Sequence, residues 1–85
     1  MQLSNALRQR ILYLSKTKKN NLKELSRDSG VSYSTLTSFM IGKTRMLTLN
    51  TLFDVCEGLD ISFYDFFSDP IFNDIVDEHE KNLKK

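Results

Sequence analysis

Apolar residues recur along this chain at the spacing of helices rather than strands. Leu3, Leu7, Ile11 and Leu14 fall at i, i+4, i+8 and i+11, the single stripe of a first helix that reaches about Lys16. The polar run 17–21 ends it. Asn21-Leu22-Lys23-Glu24 sets a capping side chain three residues before a carboxylate, the arrangement of a capping box. A short second helix therefore starts here, carries Leu22 and Leu25 inward, and stops at Ser29-Gly30. Glycine takes a positive φ at no steric cost, so Gly30 can end the helix and reverse the chain. Val31 follows as a buried plug. Ser32 caps a third helix with Leu36 and Phe39 inward, and Gly42 closes it.

A basic loop, Lys43-Thr44-Arg45, precedes a fourth helix capped by Thr48, marked by Leu49, Leu52, Phe53 and Cys56, and ended by Asp60. The alternation Leu47-Thr48-Leu49-Asn50 also fits a strand, but four residues yield to the longer helical pattern. Ser62 opens a one-turn fifth helix through Phe67. Asp69-Pro70 breaks the chain, since proline can begin a helix but not continue one. Beyond it Ile71, Phe72, Ile75, Val76, His79 and Leu83 trace a final amphipathic segment. The predicted fold is all-α, a compact bundle of five or six short helices, with residues 1–68 as the domain and residues 69–85 as an amphipathic helical extension.

Composition narrows the function classes. Eighty-five residues make one small domain, and 40% apolar with 27% charged residues is ordinary globular composition. One cysteine, Cys56, forms no internal disulfide and suits a small core position. No apolar run approaches the roughly 20 residues needed to span a bilayer. Residues 1–10 lack the apolar stretch of a signal peptide, so a cytoplasmic protein is expected. His79 has Glu78 and Glu80 beside it, but neighbours on a helix face different ways, and no metal or other cofactor is expected. No histidine accompanies a nucleophile and no glycine-rich phosphate loop occurs, so the chain does not read as an enzyme.

The formal net charge of +1 argues against a nucleic-acid partner until it is divided. Through Arg45 the chain carries nine cations (Arg8, Arg10, Lys16, Lys18, Lys19, Lys23, Arg27, Lys43 and Arg45) against two anions, a balance of +7. The remainder carries three cations against nine anions, a balance of −6. A basic half attracts phosphate, and an acidic half orients its approach. The four lysines at positions 16, 18, 19 and 23 read as a solvated face rather than specific contacts.

Residues 22–42 carry the functional signal. Two short helices joined by Ser29-Gly30-Val31-Ser32 have helix-turn-helix spacing. Ser26 is small where the helices cross, Gly30 makes the turn, and Val31 and Leu36 fill the angle between them. Tyr33, Ser34, Thr37, Ser38 and Ile41 are left outward. With Arg10-Ile11, Leu25-Ser26, Gly42-Lys43, Leu49-Asn50-Thr51-Leu52, Leu59-Asp60-Ile61-Ser62 and Phe66-Phe67, this stretch resembles the Xre/Cro/lambda-repressor-like helix-turn-helix regulators of bacteria and phages. The resemblance covers about residues 7–68.

The resemblance implies a lambda-repressor-like DNA-binding domain that lays helix 33–41 in the major groove of a double-stranded operator. Position by position it implies base contacts from Tyr33, Ser34, Thr37 and Ser38, and backbone contacts from Asn21, Ser32, Lys43, Thr44 and Arg45. Hydroxyls contact any base with little discrimination, so shape and phosphate contacts are expected to carry much of the specificity. The family often pairs a first-helix arginine with a late acid of the third helix. Met40 stands at that acid's place, so Arg10 must find another carboxylate or point to solvent. Asp60 stands where the family has glycine.

The expected function is sequence-specific DNA binding by a transcriptional regulator, a repressor acting by occlusion. The alternative is a protein-interaction module, such as an antitoxin or a phage adaptor, that binds its partner through the acidic half. Ile71, Phe72, Ile75 and Val76 either cap the domain's own core or form a homodimer face. No membrane and no small-molecule ligand are expected as partners.

Overall fold

Hydroxyl and amide side chains set where most of the helices begin. The computed structural model describes residues 1–18 and 20–76. Lys19, His79, Leu83 and the lysines of the C-terminal end lie outside the described residues. The elements are α1 (Leu3–Thr17), α2 (Leu22–Ser29), α3 (Tyr33–Met40), α4 (Leu49–Gly58), α5 (Phe63–Phe67) and a 3-10 turn (Pro70–Phe72). Asn21 and Glu24 close a reciprocal capping box at α2: the Glu24 amide donates to Asn21 Oδ1 at 2.8 Å and the Asn21 amide to Glu24 Oε1 at 2.9 Å. Ser32, Thr48 and Ser62 accept from the Thr35, Thr51 and Asp65 amides to open α3, α4 and α5. Each such cap stabilises its helix by about 1 kcal/mol over alanine.

The helices surround one core. Leu7, Ile11 and Leu14 of α1 meet Leu25, Val31, Leu36, Phe39 and Leu47, with Leu52, Val55, Cys56, Leu59 and Phe66 completing the cluster. Each of these large side chains contributes roughly 1.5–3 kcal/mol by leaving water. Gly30 at φ +78 turns the chain between α2 and α3, and Gly42 at φ +84 does so after α3. Asp60 adopts φ +57, the left-handed conformation that the family's glycine would take. No described residue is in a strand, and residues 45–48 run irregularly into the α4 cap.

Two expectations need correction. In α4 the buried residues are Leu52, Val55 and Cys56, with Leu59 just beyond, while Leu49 is 69% exposed and Phe53 47% exposed. Gly58 lies against α2, which rotates the helix until Leu49 and Phe53 stand at the border of its buried arc. Phe53 packs edge-on to Phe63 of α5 at 5.4 Å between centroids. The Ser26 hydroxyl donates to the Val31 carbonyl at 2.6 Å and so ties the turn back to α2.

The second concerns the segment after Pro70. It makes a three-residue 3-10 turn, and residues 73–76 are not helical. Asp69 caps that turn by accepting from the Ile71 amide at 2.8 Å, and the Asn73-Asp74 pair leaves it in a bend. The segment then returns to the N-terminus, where the Val76 amide donates to the Met1 carbonyl at 2.9 Å and the Met1 ammonium donates to the Asp74 carbonyl at 3.2 Å. Ile71, Phe72 and Ile75 are half-buried, and Phe72 packs on the core beside Phe66 and Phe67. For Phe72 the core-capping alternative therefore holds.

Arg10 finds its carboxylate in this region. Its guanidinium donates to Asp69 Oδ2 at 3.3 Å, to the Phe66 carbonyl at 2.9 Å and to the Asp65 carbonyl at 3.0 Å. It thereby binds α1 to the end of α5, where the last-turn carbonyls have no helical partner.

Candidate nucleic-acid interface

The geometry of the helix pair follows from the turn. Gly30 reverses the chain, Val31 is buried behind it, and the Val31 amide donates to Ser29 Oγ at 3.1 Å. Ser32 then starts α3 through two bonds: it accepts from the Thr35 amide at 3.1 Å and donates to Thr35 Oγ1 at 2.8 Å. With Leu36 and Phe39 turned fully inward, helical periodicity puts Ser34, Ser38 and Ile41 on the opposite side of α3. Ser34 is exposed, Ser38 half-buried, and Ile41 76% exposed. Tyr33, 46% exposed, stands at the helix entrance. Thr37 flanks the face, with its hydroxyl donating back to the Tyr33 and Ser34 carbonyls at 3.0 and 3.2 Å. That proton is engaged, so toward a ligand Thr37 offers acceptor lone pairs and a methyl group.

The basic loop is held against the end of this helix. The Lys43 and Thr44 amides both donate to the Ser38 carbonyl, at 2.9 and 3.0 Å, and Lys43, Thr44 and Arg45 are exposed. Tyr33, Ser34, Thr37 and Ser38 thus share α3 with its Ser32 cap, and Lys43, Thr44 and Arg45 continue directly from it. Asn21 sits apart from this group, at the start of α2. Its Oδ1 and its backbone amide are used in the capping box, which leaves the side-chain Nδ2 and the Leu22 and Lys23 amides as donors of that helix end.

The charges redistribute on folding. Of the nine cations before residue 46, Arg8 and Arg10 point to backbone carbonyls, and Arg27 pairs with exposed Asp28 at 3.0 Å. Lys16, Lys18, Lys23 and Lys43 remain as exposed lysines. Glu57, Asp60 and Asp65 are exposed on α4, the following turn and α5. The Arg27–Asp28 pair lies within the balance of +7, and the Arg10–Asp69 pair offsets one cation of that half with an acid of the other.

In the sequence Arg8 is only one of nine cations before residue 46. Its Nε donates to the Phe39 carbonyl at 2.6 Å, while its terminal nitrogens reach the Thr44 carbonyl at 3.2 Å and Asn5 Oδ1 at 3.0 Å. The guanidinium lies 4.6 Å from the centroid of the Phe39 ring. The available signal was its position beside Leu7 at the edge of the α1 stripe, where a long basic side chain covers apolar surface. Cys56 has no part in the face. Burial pushes its thiol up to about 11, so it stays protonated and unreactive at neutral pH. Among the described residues, no helix is long and apolar enough to cross a membrane.

Comparison with known proteins places this arrangement in a family. The Cro/C1-type HTH DNA-binding domain matches the chain over residues 10–70, which takes in everything from the C-terminal half of α1 through α5. No curated protein and no solved structure matches the chain.

Proposed function

The chain belongs to the Cro/C1-type helix-turn-helix DNA-binding family, and from that premise we propose that it is a bacterial or phage transcriptional regulator that acts in the cytoplasm as a repressor, by occlusion. Helix α3 enters the major groove, with Tyr33, Ser34, Thr37 and Ser38 toward base edges. Ser32, Lys43, Thr44 and Arg45 take the phosphates on either side, and the α2 start contributes Asn21 through its Nδ2, with the Leu22 and Lys23 amides. The observation that carries this reading is the outward face of α3, a run of hydroxyls continuous with a basic loop that is bonded to the same helix.

Selection of binding sites from random duplex DNA tests it. Enrichment of a short motif supports the regulator, and Tyr33→Ala is expected to change which sequences are enriched. Lys43→Ala with Arg45→Ala is expected to weaken binding to all sequences alike. No enrichment from the wild-type protein overturns the reading. Paired half-sites one helical turn apart would indicate a homodimer, for which Val76, exposed at the end of the 71–76 stripe, stays available.

A second reading rests on the other side of the molecule. Leu49, Phe53, Tyr64 and Phe67 are exposed along α4 and α5, beside the exposed acids Glu57 and Asp65. An apolar surface of this kind favours a protein partner, as in an antitoxin or adaptor. Under this reading the duplex selection fails.

A further inference from the structure

Arg8 reaches both elements of the proposed DNA surface from outside it. It comes from α1, and its three nitrogens hold three different oxygens: the Phe39 carbonyl at the end of α3, the Thr44 carbonyl in the basic loop, and Asn5 Oδ1 on its own helix. The Phe39 carbonyl also accepts from the Gly42 amide at 3.1 Å, so the cation sits where α3 ends and the chain turns toward Lys43. A positive charge is favourable at a helix C-terminus, where carbonyl oxygens lack partners. The Phe39 ring beneath the guanidinium is wholly buried, which fixes one face of the fork.

We propose that Arg8 is a positioning residue for DNA binding: it sets the end of α3 and the 43–45 loop relative to each other, and acts on DNA only through them. This rests on the DNA-binding reading above. The loop has two sets of ties, the Lys43 and Thr44 amides on the Ser38 carbonyl and the Arg8 fork on the Thr44 carbonyl. The first ties the loop to α3 alone. The second ties it to α1 and hence to the body of the protein. A lysine retains the charge but has one nitrogen, and cannot span carbonyls that a planar fork reaches from separate atoms. Three of its five N–H donors are engaged in these bonds, so a phosphate could take only the other two.

The two roles differ in salt dependence. Each cation that neutralises a phosphate adds about 0.9 to the log–log slope of affinity against salt, whereas a positioning residue changes affinity at constant slope. The test compares the full chain with Arg8→Lys, Arg8→Gln and Asn5→Ala, binding a 20-base-pair duplex across a potassium chloride series at a temperature where each protein is folded. Amide exchange is measured in the free proteins. The expected result is a loss of roughly tenfold or more for both Arg8 variants with an unchanged slope, and a smaller loss for Asn5→Ala. Exchange at the Lys43 and Thr44 amides should quicken in the free variants.

A loss accompanied by a slope flatter by about one unit would make Arg8 a phosphate contact and overturn the proposal. Unchanged affinity in Arg8→Gln and Arg8→Lys, or unchanged exchange at the two loop amides, would overturn it as well. If Arg8→Gln does not fold, Arg8→Lys and Asn5→Ala decide by the same measures. Absence of duplex binding by the wild-type protein would instead defeat the DNA-binding reading, and the exchange data would still show whether Arg8 holds the loop.

Discussion

Gly58 of α4 and Ser29 of α2 meet so closely that no side chain fits between them. A Cβ at Gly58 would stand 2.7 Å from Ser29 Cβ and 2.9 Å from both Ser29 Cα and the Ser29 nitrogen. Two of those neighbours are backbone atoms, so the clash is relieved only by moving a helix. Ser29 directly precedes the turn that aims α3. The crossing therefore bears on the position of α3 as well as on stability.

Gly58→Ala is accordingly expected to destabilise the protein despite alanine's better helix propensity. Propensity gains about 1 kcal/mol, and displacing packed backbone costs about 1–3 kcal/mol. A net loss of up to about 2 kcal/mol should appear in urea unfolding. A more stable variant would mean that α2 and α4 separate without penalty.

Arg10 and Asp69 should behave unequally. Removing Arg10 strands the Phe66 carbonyl and leaves Asp69 Oδ2 without its cation, while the Asp65 carbonyl keeps Ser68, and the arginine side chain is only 10% exposed. Arg10→Gln should therefore cost about 2–4 kcal/mol. Asp69→Asn keeps an oxygen for the Ile71 amide and leaves Arg10 its two carbonyls, so it should cost under about 1 kcal/mol. Equal losses in denaturant titrations would show that the ion pair, not the carbonyl caps, carries the interaction.

Cys56 predicts a pH effect of definite sign. The native thiol keeps its proton to about pH 11 because burial disfavours the thiolate, with the Arg10 charge pulling weakly the other way, whereas an unfolded thiol releases it near pH 9. Native protein thus binds more protons between those values, and stability is full below pH 9 and falls as the pH rises to 11. The loss is on the order of 2 kcal/mol. Cys56→Ala lacks this dependence, so the stability difference between wild type and variant should be constant below pH 9 and shift by that amount above it. A difference that stays constant through pH 11 would contradict the assignment.

Ser32→Ala separates capping from binding. Loss of the α3 cap should lower stability by about 1 kcal/mol, and the preferred DNA sequence should stay the same, because Ser32 is expected at phosphate rather than bases. A changed preference in site selection would move Ser32 into the base-reading set.

Much of this was legible along the chain, and the reasons are local. Asn21, Ser32, Thr48 and Ser62 cap as their sequence context implies, because a cap acts over three residues. Gly30 and Asp60 announce left-handed backbone by residue type. What sequence could not convey is long-range. The rotation of α4 that exposes Leu49 and Phe53 is set by Gly58 against Ser29, 29 positions earlier. Arg8 meets Phe39 and Thr44, and Arg10 meets Asp65, Phe66 and Asp69, each more than 30 residues away. Periodicity also overreached after Pro70, where the apolar spacing suits a helix but the chain bends at Asn73-Asp74 toward Met1.

The central claim is that α3 and the 43–45 loop form one surface for duplex DNA. Affinity of the full chain for a duplex, followed by fluorescence anisotropy from 50 to 300 mM salt, tests it most directly. Lys43 and Arg45 on the loop, with Lys23 at the α2 entrance, predict a log–log slope of roughly −3, made shallower by about 2 in the Lys43→Ala, Arg45→Ala variant. A flat slope, or a variant indistinguishable from wild type, would contradict it.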